Sequence, residues 1–271
     1  MDSARAVVRS LGDSRGIEAI GRHARLELRF ERRNGRTVLA DSYAEPPFRV
    51  GACFEERDGL HLIMASCAPG IFGGDCLNQR IDVGPGARVR LTSQSAIQVH
   101  ASRDGDAARL SSVYHVAGDG ELRCQWDPLI PFADARLEQQ IAVHLSPDAR
   151  LEWSDALMSG REARGERWRF LSIEHELRVS RRGRLEYLER YGIAPADGRV
   201  VGPWVAGGAS YFGTTLLSGW EHEAEEIDAR HRRLVAVEGI QAAADLLDRR
   251  LLLVRLATSS GRAFREARGT V

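Results

Sequence analysis

GPGARVRLTSQ (84–94) reads as a turn followed by a strand: Gly84-Pro85-Gly86 supplies the reversal, and Val89 and Leu91 alternate with Arg88, Arg90 and Thr92. The pattern returns in GDGELRCQWDP (118–128), SPDARLEWSDA (146–156) and RRGRLEYLERY (181–191). The first apolar positions are Val89, Leu122, Leu151 and Leu185, a period of about 30 residues. Such spacing fits a β-helix or solenoid-like body of stacked strands, in which each unit buries its apolar face against its neighbours. A sandwich whose turns share one chemistry would repeat in the same way, so the pattern leaves both open. Either reading is mainly β.

Strand signals extend outward on both sides. RHARLELRFERR (22–33) alternates apolar residues at Ala24, Leu26, Leu28 and Phe30, and Asn34-Gly35 then TVLADSYA (37–44) complete a hairpin signature. Further alternating runs continue to Ile193, with Pro and Gly mostly between them. The character changes after about residue 220. EHEAEEIDARHRR (221–233) predicts an exposed helix, and GIQAAADLLDRR (239–250) predicts a second with Ile240, Ala244, Leu247 and Leu251 on one face. LLLVRLA (251–257) predicts a buried strand and SGRAFREARG (260–269) a closing helical turn. The expected organisation is a flexible arm at residues 1–20, then one domain over 21–271 with a small α/β C-terminal part.

Composition narrows the function classes. The 38 basic residues balance 38 acidic ones, which argues against a nucleic-acid binder or a polybasic membrane-surface protein. All 38 basic residues are arginine, so no lysine can serve as a Schiff base, a catalytic base or a P-loop phosphate ligand. The polar N-terminus lacks a secretory pattern, and no window approaches 18 consecutive apolar residues. The four cysteines form no Cys-x-x-Cys pair, which predicts free thiols and a cytosolic protein.

GIFGGDCL (70–77) is the densest candidate for chemistry. It lacks the Lys-Ser/Thr of a P-loop and the spacing of a dinucleotide fingerprint. It reads instead as a turn needing positive φ at Gly73 or Gly74 and aiming Asp75. On the 221–233 helix, His222, Glu226 and His231 are candidate metal ligands, although the spacing departs from His-Glu-x-x-His at Glu226. GASYF (208–212) fails the Gly-x-Ser-x-Gly pattern at its last position, and a β-rich hydrolase with dispersed catalytic residues is the competing enzyme reading. Arg161, Glu162, Arg164, Glu166 and Arg167 read as a salt-bridged surface loop.

Taken in order, GRTVLADSYAEPPFRV (35–50), APGIFGGDCLNQRIDVGPGARVRLTSQSAIQVH (68–100), WDPLIPFADARLEQQ (126–140), LEWSDALMSGREARGERW (151–168) and LEYLERYGI (185–193) resemble the urease accessory protein UreD family, also called UreH. The resemblance covers roughly residues 20–257 and rests on four ordered motifs. They are the Gly-Gly-Asp turn, Thr-x-Gln-x-Ala, Pro-x-Ile-Pro-Phe and Gly-Arg-x-x-x-Gly-Glu. Gln98 departs from the family, whose members often carry lysine there. The resemblance implies a stacked β body and a cytoplasmic, non-catalytic chaperone for urease maturation. It implies binding of apo-urease subunits and of UreF, with the GTPase UreG reached through UreF. It implies no tightly bound cofactor, nickel being in transit through the interior to the urease active site. Sites that hand an ion onward must be weak and oxygen-rich. By family position the candidate passage residues are Asp75, Asp155, Glu166 and Glu189.

Overall fold

The computed structural model describes residues 21–57, 59–103, 105–203 and 205–271; the arm assigned to residues 1–20 lies outside them. The chain opens with the hairpin β1 (His23–Arg33) and β2 (Arg36–Ala44). Asn34 and Gly35 take φ of 51° and 79°, the two left-handed residues that let a short turn match strand twist. A second hairpin follows, β3 (Phe48–Glu56) and β4 (Gly59–Ser66).

The body is then wound from β5 (Cys76–Val83), β6 (Arg88–Ser93), β7 (Ile97–Val99), β8 (Ala108–Val116), β9 (Glu121–Gln125), β10 (Leu129–Pro131), β11 (Arg136–Leu145) and β12 (Arg150–Met158). It closes with β13 (Ser172–Arg181), β14 (Arg184–Ile193), β15 (Tyr211–Ser218), α1 (Ala224–Val235), β16 (Ile240–Asp248), β17 (Leu251–Thr258) and α2 (Gly261–Arg268).

Two sheets result. The first runs β14-β13-β11-β8-β5-β1-β2, and the second runs β16-β17-β15-β12-β9-β6-β4-β3, with β7 and β10 beside it. Strands β1, β5, β8, β11 and β13 are parallel in the first, as are β4, β6, β9 and β12 in the second. Each coil therefore places one strand in each sheet, the stacked one of the two arrangements the repeat left open. Three equivalent turns join the sheets, closed by Ala87 N–H to Gly84 O, Gly120 N–H to Ala117 O and Ala149 N–H to Ser146 O.

The repeat is visible in register. Val89 pairs with Leu122, and Leu122 with Leu151. Across the interior the first sheet answers with Leu28, Ile81, Tyr114, Val143 and Val179 in one ladder. These columns build the main core, and the Tyr114 and Trp153 rings meet edge-to-face at 5.2 Å. Leu122 is fully buried at its centre. Leu122→Ala is expected to cost about 2–5 kcal/mol in a denaturant melt, because the neighbouring coils cannot collapse into the gap.

Two expectations change. The fourth repeat does not stack on the other three: Leu185 lies on β14, antiparallel to β13 in the other sheet, and is 54% exposed. The strand beside β12 is instead β15, also antiparallel, whose sequence YFGTTLLS carries no clear alternation. Residues 240–248 form a strand, not a helix. Ile240, Ala242 and Ala244 alternate inward onto the C-terminal core cluster, and pairing with β17 satisfies their backbone groups. The strand 251–257 and the closing helix form where expected. α2 packs over Gly213, where a Cβ would fall 2.9 Å from the Phe264 ring. No helix among the described residues is long and apolar enough to cross a membrane.

Candidate functional site: a cavity between the sheets

Toward the loop end of the coils the inward columns turn polar. One column reads Leu26, Gln79, Ser112, Ile141, Leu177, and the next Ala24, Leu77, Leu110, Gln139, His175. On the facing sheet, alternation along β12 brings Leu151, Trp153 and Asp155 inward. A cavity of about 330 Å³ lies between the sheets, separating the main core from a second apolar cluster around Leu129, Leu137 and Ile173. It runs from an exposed rim at Ser66, Gln94, Ser95 and Gln98 to walls that include Tyr114, Trp153 and Asp155.

Asp155 is deep in the protein, yet keeps some accessible surface as part of the cavity wall. Trp153 Nε1–H donates to its Oδ2 at 3.0 Å. Burial pushes its carboxyl above the ordinary range and the Glu189 charge adds to this; His175, the Trp153 N–H and Arg268 pull against it without winning. His175 is held by Gln139 Oε1 at 2.9 Å from its Nδ1 and stacks on Tyr191 at 4.7 Å. Glu189 is buried and accepts from Tyr187 Oη at 3.1 Å and Arg255 Nη1 at 2.9 Å. Two of the four carboxylates chosen by family position, Asp155 and Glu189, thus belong to one buried titratable cluster.

The other two are engaged elsewhere. Gly74 has φ of 82°, and the turn does aim Asp75, but at Arg22. Asp75 is 2% exposed and accepts from Arg22 N–H at 2.9 Å, Arg22 Nε at 3.1 Å, Arg22 Nη2, and Phe72 N–H at 2.9 Å. Glu166 is clamped by Arg161 and accepts from Ala133 N–H at 3.1 Å. Neither lines the cavity.

These arginines belong to a ring cluster that gathers the family motifs at one end of the body. Phe72 stacks on His100 at 4.3 Å, His100 meets Phe132 edge-on at 4.6 Å, and the Arg161 guanidinium lies 3.6 Å over Phe132.

His222 precedes α1, and burial holds its imidazole below the ordinary value, partly countered by Glu226. Glu226 pairs with Arg230 at 3.4 Å. His222, Glu226 and His231 do not close into a ligand set: among the described residues no group of three or more His, Cys, Asp or Glu side chains is placed to hold a metal. Nor does a hydrolytic relay assemble around Ser180. Ser180 Oγ lies 2.9 Å from His144 Nδ1 on the outer face of the first sheet, but the nearby carboxylate, Asp82, lies beside the neighbouring His115, its Oδ1 3.0 Å from His115 Nδ1.

The residues missed from sequence are His175, Gln139 and Arg268. For His175 a signal existed: in SIEHELRVS it falls on the inward face between Ile173 and Leu177.

A column of parallel coils around a mostly apolar hollow, walled in part by Asp127 and Asp155, defines a class, a β-solenoid-like body with an internal cavity. A family model described as UreD urease accessory protein matches residues 22–271. A urease accessory protein UreD of Sorangium cellulosum is 40% identical over 174 residues, covering 64% of this chain and 55% of the relative. One of Herpetosiphon aurantiacus is 30% identical over 203 residues, covering 73% and 70%. A urease accessory protein UreH of Helicobacter pylori J99 is 30% identical over 148 residues, covering 54% and 55%. The chain belongs to the UreD family of urease accessory proteins. It spans little more than half the length of the Sorangium and Helicobacter pylori relatives.

Proposed function

We propose that this protein is a chaperone of urease maturation that binds apo-urease and the accessory proteins UreF and, through it, UreG, and passes nickel through the cavity between its sheets. One observation carries the passage: a hollow open at the Ser66/Gln94–Gln98 rim and walled in part by Asp155, whose charge is poorly compensated. Asp155, with Asp127 and a few hydroxyl and amide oxygens in otherwise apolar walls, makes a weak site for a divalent cation. A weak site lets the ion leave, whereas a four-ligand thiolate or imidazole set would trap it. Glu189, behind His175, adds negative potential without offering free oxygens, since Tyr187 and Arg255 hold both.

Filling the hollow tests the passage apart from partner binding. Ser112 is buried in the polar column and lines the cavity. Ser112→Leu is expected to keep the complex with apo-urease and UreF on co-purification, while the matured urease carries about a tenth of its nickel. Full nickel content with a folded variant rejects the passage. Failure of the parent chain to retain either partner rejects the chaperone reading itself.

A further inference from the structure

We infer that the cavity has a second mouth, beneath α2, and that Arg268 is the charged stopper that closes it. The inference rests on the cation-passage reading above and adds where the far opening lies and what shuts it.

A second cavity of about 860 Å³ occupies the outer face of the second sheet, between α2 and strands β6, β9, β12 and β15. Ser93, Ala96 and Asp127 line both cavities. The partition is thin there because the sheet is interrupted. β6 stops at Ser93 and β9 at Gln125, and the chain resumes pairing at Ile97 and Leu129. Asp127 N–H donates to Ser93 Oγ at 2.8 Å across the gap.

On β12 the partition is one strand thick. Consecutive residues of a strand project to opposite faces, so Asp155 lines the inner cavity and Ser154 the outer one. Arg268, at the end of α2, grips this point: Nε donates to Ser154 Oγ and Nη2 to Ser154 O, both at 3.0 Å. Its charge acts on Asp155 from one side of the strand and on Asp127 and Glu152 nearby. A guanidinium thus sits within reach of three carboxylates, beside the interrupted stretch of sheet that a cation leaving toward α2 would cross.

The holder is a single short helix. α2 has eight residues, an N-cap from Ser260 Oγ to Ala263 N–H at 3.3 Å, and apolar anchors at Ala263, Phe264 and Ala267. It forms no ladder with either sheet. Lifting its last turn removes Arg268 from the partition without breaking a strand pair. The stopper also responds to its cargo. A divalent ion at Asp155 competes with Arg268 for the same negative charge, so each loosens the other.

Release of Ni²⁺ from the full chain tests this. The ion is placed by paramagnetic broadening of the Trp153 indole N–H resonance, one hydrogen bond from Asp155. Its release is timed with a coloured chelator. Arg268→Gln is expected to speed release by about tenfold, Arg268→Lys to stay near the parent, and Ser154→Ala to fall between. Thr92→Trp, which fills the outer groove, should cancel the Arg268→Gln acceleration. Release from folded Arg268→Gln within about twofold of the parent overturns the stopper, as does an acceleration that Thr92→Trp leaves untouched. If Arg268→Gln does not fold, Ser154→Ala decides: no acceleration there overturns the stopper. Broadening that persists in Asp155→Asn overturns the passage reading itself. Broadening lost in Asp155→Asn with no effect at Arg268 removes the stopper alone.

Discussion

Asp155→Asn is expected to fold more stably than the parent at neutral pH and to deliver about a tenth of the nickel. The sign follows from the raised carboxyl pKa. The unfolded chain releases this proton near pH 3.9, and the folded chain holds it to higher pH. The contribution to stability is then fully present below the unfolded value and is lost as pH rises through the folded one. Once ionised, the parent side chain is a buried charge that His175, Trp153 and Arg268 compensate only in part. Asparagine keeps an oxygen for the Trp153 N–H and drops the charge, a gain on the order of 1 kcal/mol. Denaturant midpoints from pH 4 to 8 should coincide at the acid end and diverge upward. A variant less stable than the parent at pH 7 would make Asp155 a structural group and remove its candidacy.

Asp75→Ala should lose about 3 kcal/mol, measured by denaturant melt, with the thermal midpoint falling accordingly. Here the carboxylate is satisfied. Burial pushes its carboxyl up, but the Arg22 guanidinium and the Phe72 and Arg22 N–H groups outweigh burial and hold it below the ordinary range. A depressed pKa gives stability that is present above the unfolded value and lost as pH falls through the folded one. Asp75→Asn should therefore flatten the acid limb of the stability profile. The alanine variant also frees Arg22, which bonds Gly70 O at 2.9 Å, so the 70–75 turn and the cavity rim beside it loosen together. A loss under about 0.5 kcal/mol would show the pair to be idle, as many surface pairs are.

The contrast between these two aspartates marks what a sequence discloses. Periodicity placed Val89, Leu122 and Leu151 in one column, and alternation with Leu151 and Trp153 turns Asp155 inward. Both are local facts. The partner of Asp75 lies 53 residues away, that of His175 36, and that of Arg268 114. No period or motif encodes such meetings; they follow from how coils stack. Residues 240–248 illustrate the same limit from the other side. Their helical pattern is real, but the unpaired edge of β17 decides the outcome.

Winding also sets length. Because equivalent turns repeat at fixed register, a chain can gain or lose bore only in whole windings, each about 4.8 Å of column height. Inserting a single residue into one winding would flip that layer's lining from wet to greasy. The hollow is thus quantised, and its gauge is inherited from the twofold alternation of its walls.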